Sequence, residues 1–252
     1  MAILFQFGTT DFTANVERVE DSIPQRVSTE SVPRRHGAVV TETPVLDVRR
    51  FAFTLSYFGT TRALARTQLD TWLVAFASFA LAGRDKLYLD SDRYIWAYYE
   101  DAGPVEWIDG NAMQAFRMSV SFVSAEPFFE DGTATSVDQV CSYNPTAWSH
   151  TNSGTVLVYP TITILANQGT DVVAPALTNS TTGKTSTYAG TVSSGNSLVI
   201  DCANFTVANN GTSDFANFSG TFLWLNAGSN SMSYAGANAC TVRIAYNPRY
   251  LA

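Results

Sequence analysis

Apolar and polar residues alternate along most of this chain, and the period changes once. Within Asp47–Phe58, Phe51, Phe53, Leu55 and Tyr57 fall on one face while Ala52, Thr54 and Ser56 fall on the other, which predicts a half-buried strand. The same period of two returns in Met113–Val123, with Phe116, Met118, Val120 and Phe122 inward and Ala115, Arg117, Ser119 and Ser121 outward. Between these segments the spacing lengthens to three and four. Leu69, Trp72/Leu73, Phe76 and Phe79/Ala80 predict one amphipathic helix, with a broad apolar stripe to lay on a sheet. Thr60 or Thr61 can cap its start, and Gly83 can supply the left-handed residue that ends it. Arg62, Arg66 and Asp70 form an outward charged row, with Arg66 and Asp70 at the spacing of an ion pair. Shorter strands are expected at Ile3–Phe7, Lys86–Asp90 and Arg93–Glu100, with a loop at Ser31–Gly37, a turn at Asp90-Ser-Asp92 and a break at Gly103-Pro104.

After residue 140 no helix-length periodic segment occurs. Ile162 and Ile164 alternate with Thr161 and Thr163; Leu198, Ile200 and Cys202 share one face, and so do Val242, Ile244 and Tyr246. Turn signals fall at Gly183-Lys184, Ser194-Gly-Asn196, Asn209-Asn-Gly211 and Ala227-Gly-Ser-Asn230. Many short strands at this spacing predict a β-sandwich or jelly roll. The fold expected is mainly β with one helix, in two domains, 1–132 and 139–252, joined by a linker at about 133–138.

Charge separates the same two halves. Residues 1–132 carry 12 Lys/Arg and 18 Asp/Glu, whereas 133–252 carry 3 and 4 and fill with Ser, Thr, Asn and Gly. A net charge of −7 argues against tight sequence-independent binding of nucleic acid, which needs basic residues to replace phosphate counterions. The apolar stretch Trp72–Ala82 is interrupted by Ser78 and too short to span a bilayer. Met1–Phe7 has neither a basic flank nor a small-residue cleavage site, so it reads as a strand rather than a signal peptide. Cys141, Cys202 and Cys240 form no CxxC and are odd in number, which predicts reduced, mostly buried thiols; a Cys202–Cys240 bridge is left open, with nothing in the sequence to support it. Four Asn-x-Ser/Thr sequons, at Asn179, Asn204, Asn210 and Asn217, are what chance gives in so Asn- and Thr-rich a region.

Catalytic chemistry is thin. The chain has two histidines, His36 and His150, and no GxSxG, HExxH or phosphate-binding glycine loop. Asp85, Asp90, Asp92, Glu100 and Asp101 cluster enough to raise glycoside hydrolysis, with Asp90 or Asp92 as the acid, but acids at turns ordinarily shape the turn. Asp90-Ser-Asp92 begins like a calcium loop and lacks the later ligands. Tyr94, Trp96, Tyr98 and Tyr99 lie on one predicted strand and fit sheet packing. Trp224 and Tyr234 are the candidate glycan contacts, since their ring faces can stack on sugars. No catalytic residue, cofactor or metal ligand is expected, and the chain reads as a non-enzyme.

Taken in order, several segments resemble the distal tail protein of long-tailed bacteriophages. They are Arg35-His-Gly37, Val48–Leu55, Leu69-Asp-Thr-Trp72, Leu81-Ala-Gly-Arg84, Leu87-Tyr-Leu-Asp90 running into Arg93-Tyr94, and Val120–Val123 closing on Glu126-Pro-Phe-Phe129. Tyr159-Pro-Thr-Ile162, Leu225-Asn-Ala-Gly-Ser-Asn230 and Tyr246-Asn-Pro-Arg-Tyr250 continue the likeness through the second half. The resemblance implies an N-terminal belt-type β-sandwich with a helix and a galectin-like C-terminal sandwich. It implies a ring, typically a hexamer, at the virion tail tip, made in the host bacterial cytoplasm. Its partners would be copies of itself, the tail tube protein, the tip or hub protein and the tape measure protein. DNA would pass through without specific binding, nothing would insert in a membrane, and the C-terminal domain could contact host-surface glycans.

Overall fold

Arg49–Phe58 and Ala115–Ser124 pair along their whole length and set the frame of the first of two compact units, Met1–Phe129 and Glu130–Ala252. The computed structural model describes residues 5–23, 25–26, 29–31, 38–40, 45–142 and 145–251. Of the expected loop at Ser31–Gly37, residues 32–37, with His36, lie outside them, as do residues 1–4, while Ser31 belongs to a strand. In chain order the first unit contains β1 (Gln6–Phe7), β2 (Thr10–Asp11), β3 (Val16–Ser22), β4 (Gln25–Arg26), β5 (Thr29–Ser31), β6 (Ala38–Val40), β7 (Val45–Leu46) and β8 (Arg49–Phe58). Then come α1 (Arg62–Ala82), β9 (Arg84–Tyr88), β10 (Arg93–Ala102), β11 (Glu106–Trp107), β12 (Ala115–Ser124) and, at the junction, β13 (Phe129–Asp131). The main sheet runs β2-β1-β9-β10-β12-β8-β3, so among the described strands β3 is an edge. Beyond Ser22 and Arg50 the β3–β8 hairpin continues as the pairs β4–β7 and β5–β6.

The alternation places the core. Register pairs Phe122 with Phe51, Val120 with Phe53 and Met118 with Leu55, and directly opposed residues point to the same side of the sheet. All six are buried. Helix α1 lies on this face: the Trp72 ring is 5.0 Å from Phe116, Phe79 is 4.8 Å from Phe7, and Phe76 stacks at 6.0 Å on Tyr99. Thr61 caps the helix, its Oγ1 accepting the Leu64 N–H at 3.3 Å, and Gly83 ends it at φ 76°. The apolar stripe is narrower than expected. Ala65, Trp72, Phe76 and Phe79 are buried, whereas Leu73 and Ala80 point outward beside Val74 and Leu81. One helix on one sheet covers only an arc of its circumference, so the second half of the stripe has nothing to pack on within the unit.

The second unit is two stacked sheets. Its strands are β14 (Thr135–Cys141), β15 (Thr146–Asn152), β16 (Thr161–Ala166), β17 (Val172–Val173), β18 (Ala176–Asn179), β19 (Lys184–Tyr188) and β20 (Thr191–Val192). They continue as β21 (Ser197–Asp201), β22 (Thr206–Asn209), β23 (Thr212–Ser213), β24 (Phe218–Gly220), β25 (Gly228–Ala235) and β26 (Cys240–Tyr246). One sheet runs β14-β26-β16-β21-β22-β23 and the other β15-β25-β18-β19-β24. Ile162, Ile164, Leu198, Ile200, Val242 and Ile244 from the first meet Leu177, Tyr188, Met232 and Tyr234 from the second in one core. At the β22–β23 hairpin Asn210 and Gly211 take φ 49° and 76°, the two left-handed residues a tight hairpin turn requires.

Residues 133–138 are not a linker. Thr135–Cys141 pairs residue for residue with β26, and Asp138 is held by Arg243 at 2.7 and 2.9 Å. As an edge strand with Val137 and Val140 both exposed, β14 has no consistent apolar face, which is why its sequence reads as loop.

Candidate functional site

Two β-bulges shape the polar face of the first unit's sheet. Glu17 is the extra residue in β3, where the register jumps between Val16 and Arg18, and Glu100 is the extra residue in β10, between Tyr99 and Asp101. A bulge re-aims its side chain, and both glutamates reach an arginine on another strand. Arg117 of β12 donates twice to Glu17, at 2.6 and 2.8 Å, across the intervening β8. Arg50 of β8 meets Glu100 at 3.5 Å across β12. Arg18 and Glu20 pair at 2.9 Å on the edge strand itself. The face is therefore charged with both bulge glutamates paired, and the Arg117–Glu17 and Arg50–Glu100 pairs tie strands that are not direct neighbours. Nothing in a period-of-two reading marks Glu17 or Glu100 as bulges.

Arg49 holds the opposite end. It lies two residues before Phe51 and so shares the apolar face, with its side chain only 3% exposed. Its guanidinium donates to both carboxylate oxygens of Asp21 and, at 3.0 Å, to the Pro127 carbonyl, and stacks over the Phe129 ring at 4.5 Å. The segment Glu126-Pro-Phe-Phe129 is tied to β8 and β3 through this side chain, and to β8 also by the Phe51–Phe129 ring contact at 6.1 Å.

The expected acidic cluster resolves into turn chemistry. Asp90 Oδ1 accepts the backbone N–H groups of Asp92 at 2.9 Å and Arg93 at 2.7 Å, which closes the β9–β10 turn. Asp85 accepts the Lys86 N–H at 2.7 Å, and Glu100 is committed to Arg50. The neighbouring aromatics pack as sheet residues: Tyr94 is buried, Tyr99 faces the helix, and Lys86 and Arg84 stack over Tyr94 and Trp96 at 4.0 and 4.5 Å.

In the second unit the two candidate glycan contacts part company. Tyr234 is 0% exposed, and its hydroxyl donates to the Asn238 carbonyl at 3.1 Å, so its ring belongs to the core and cannot stack on a ligand. Burial pushes its phenol well above the ordinary range. Trp224, flanked by the fully buried Leu223 and Leu225, points the other way and is half-exposed. Its ring lies 6.4 Å from that of Tyr159, with the Lys184 ammonium 5.6 Å above it. Beneath it, buried Asn179 donates to the Trp224 carbonyl at 2.8 Å and to Asn230 Oδ1 at 3.2 Å, and Asn230 donates to the carbonyls of Asn226 and Gly228. Elsewhere Phe205, Phe215, Phe218 and Phe222 form a partly exposed aromatic shelf with neighbouring rings 4.6 to 6.2 Å apart.

His150 is buried against Tyr246, its Nε2 without a hydrogen-bond partner among the described residues, and burial lowers its pKa. All three cysteines are buried and free. Cys240 faces Cys141 across β26 and β14, so the Cys202–Cys240 pairing left open by the sequence is not the one the fold brings together.

Residues 153–250 match the family described as "Siphovirus-type tail component, C-terminal domain". No curated protein matches the chain by sequence. Among solved structures the chain is similar to the SPP1 Dit (gp 19.1) protein, described as a paradigm of hub adsorption apparatus in phages infecting Gram-positive bacteria. Identity is 14%, the match covers 98% of this chain and 99% of that one, and the TM-score is 0.74. Chains of the phage P2 baseplate in its activated conformation, with calcium or strontium, match at 11% identity and a TM-score of 0.44, covering 97% and 96% of this chain and 98% and 97% of theirs. The resemblance to the distal tail proteins is thereby borne out, by sequence over most of the second unit and by fold over nearly the whole chain.

Proposed function

We propose that the chain is a structural adaptor of a bacteriophage tail tip, whose first units close into a ring, six-membered by analogy, around the DNA channel. The ring would join the tail tube protein to the tip or hub protein, with the tape measure protein as a further neighbour. It would assemble in the host cytoplasm and reside at the virion tail tip. The observation that carries this reading is the match of residues 153–250 to the tail-component family. The first unit supports it with an edge strand, a hairpin that extends past the sheet, and the uncovered apolar residues Val74 and Leu81, 71% and 89% exposed. Arg50 and Arg117 are engaged by glutamates and not free to replace phosphate counterions, which suits a surface that DNA passes without retention.

Mass measurement of the purified protein across concentrations, with antibody labelling of intact tails, tests the reading. A closed oligomer is expected, a hexamer weighing six times the 27.4 kDa chain, with label at the tail end. A protein that stays monomeric at every concentration and labels no tail would end it.

Glycan contact is the second reading, favoured by the Tyr159–Trp224 pair beneath Lys184. Loss of the ring removes an apolar face on which a sugar could stack, so Trp224→Ala is expected to weaken binding to host-surface polysaccharide several-fold with unchanged melting. Equal binding by wild type and variant would remove Trp224 from the site.

A further inference from the structure

We propose that Cys141 and Cys240 are a modification site: a cross-strand dithiol that oxidises to a disulfide and locks edge strand β14 onto β26. The register makes them direct partners, the last residue of one strand opposite the first of the other. Opposed residues of antiparallel strands have Cα atoms roughly 4.5 to 5.5 Å apart. That lies inside the span of about 4.4 to 6.8 Å that a disulfide bridges. Both side chains point to the core face and both residues are fully buried, with the Cys141 Sγ donating to the Gln139 carbonyl at 3.8 Å. The Cys141 thiol beside it lowers that of Cys240, while Cys240 together with burial raises that of Cys141.

Cys202 is excluded by topology. It follows Asp201 of β21, two strands from β26, and register sets Asp201 level with Thr161 and Ala245, whereas Cys240 is level with Ala166 at the other end of the sheet. Two strand spacings and six residues along the strand place it more than about 10 Å away. Burial has also pushed its thiol up to about 12.

The oxidant is a small disulfide such as oxidised glutathione. The thiolate of one cysteine attacks it, forming a mixed disulfide and releasing one reduced glutathione; the second thiolate then attacks the protein sulfur and releases another. Two electrons and two protons leave the cysteines, and one S–S bond forms for the one broken. Access comes through β14, which among the described strands pairs with β26 alone and opens more readily than a central strand. The bridge closes most of the second unit into a loop, the case in which a cross-link most restricts the unfolded chain.

The test is treatment of the full-length protein with oxidised glutathione, then alkylation in denaturant, peptide mapping and thermal melting. Two of the three thiols should be lost, a Cys141–Cys240 peptide should appear, and the second unit should melt roughly 10 °C higher, reverting with dithiothreitol. Cys202→Ser should keep all of this. Cys141→Ser and Cys240→Ser should each abolish the linked peptide and the rise, while the mapping of wild type stands even if either folds poorly. Three thiols surviving excess oxidant, glutathione adducts alone, a linked peptide containing Cys202, or a linked peptide without thermal gain would each overturn the proposal.

Discussion

Asp21→Ala is expected to destabilise the first unit by about 3 kcal/mol, more than removing its partner by Arg49→Met. The asymmetry follows from burial. Arg49 is 3% exposed and Asp21 33% exposed, so losing the carboxylate takes a countercharge from a guanidinium held away from water, whereas losing the guanidinium leaves a carboxylate that water can reach. The Phe129 ring and the Pro127 carbonyl still contact the guanidinium, but neither replaces the charge of the Asp21 carboxylate. Methionine fills a similar volume against Phe51 and Phe129, so Arg49→Met mainly costs the bond to Pro127, about 1 kcal/mol. The double variant should then resemble Arg49→Met alone, since the buried charge no longer exists. Denaturant melts of the four proteins give the cycle. Equal and additive losses would mean that the pair is solvated and that Glu126–Phe129 is not anchored through it.

Much of the architecture is legible from period alone, and the exceptions share a cause. Strands β8 and β12 and helix α1 were readable because each buries one face and solvates the other, so burial writes itself into the residue order. Edge strand β14 buries only Cys141 fully, and its order carries no such record. Bulges escape for the opposite reason: inserting Glu17 or Glu100 shifts the phase by one residue, and a polar residue at a polar position leaves no trace. Arg49 was hidden by its chemistry. Parity with Phe51 puts it on the core face, while its charge argues outward, and only a carboxylate from the neighbouring strand reconciles the two.

The glycan candidates show a case in which the signal was present and residue type overrode it. Asn230, Met232 and Tyr234 alternate with Ser231 and Ser233, which places Tyr234 on the buried face of β25. Leu223 and Leu225 likewise assign Trp224 to the opposite side. Aromatic type names a ring that could stack on sugar; strand parity decides whether the ring is available.

Phe122→Ala is expected to cost the first unit about 3 to 5 kcal/mol, the largest loss from any single truncation in its core. Its ring is fully buried and meets Phe7 at 4.7 Å, Phe5 at 5.6 Å, Phe53 at 5.9 Å, Tyr99 at 6.0 Å and Phe79 at 6.3 Å. Those neighbours come from β1, β8, β10 and α1, so no single element can move in to fill the cavity without dragging its own ladder. Ser121→Ala, one residue away on the polar face, should change stability by no more than about 0.5 kcal/mol. The second unit has its own core and should keep its melting transition, so calorimetry of the variant should separate two transitions, one displaced and one not. Assembly supplies the sharper reading. If the ring is built from the first unit, Phe122→Ala should lose the oligomer at the temperature where only the first transition has passed, while the second unit remains folded. Retention of the oligomer there would transfer the ring contacts to the second unit.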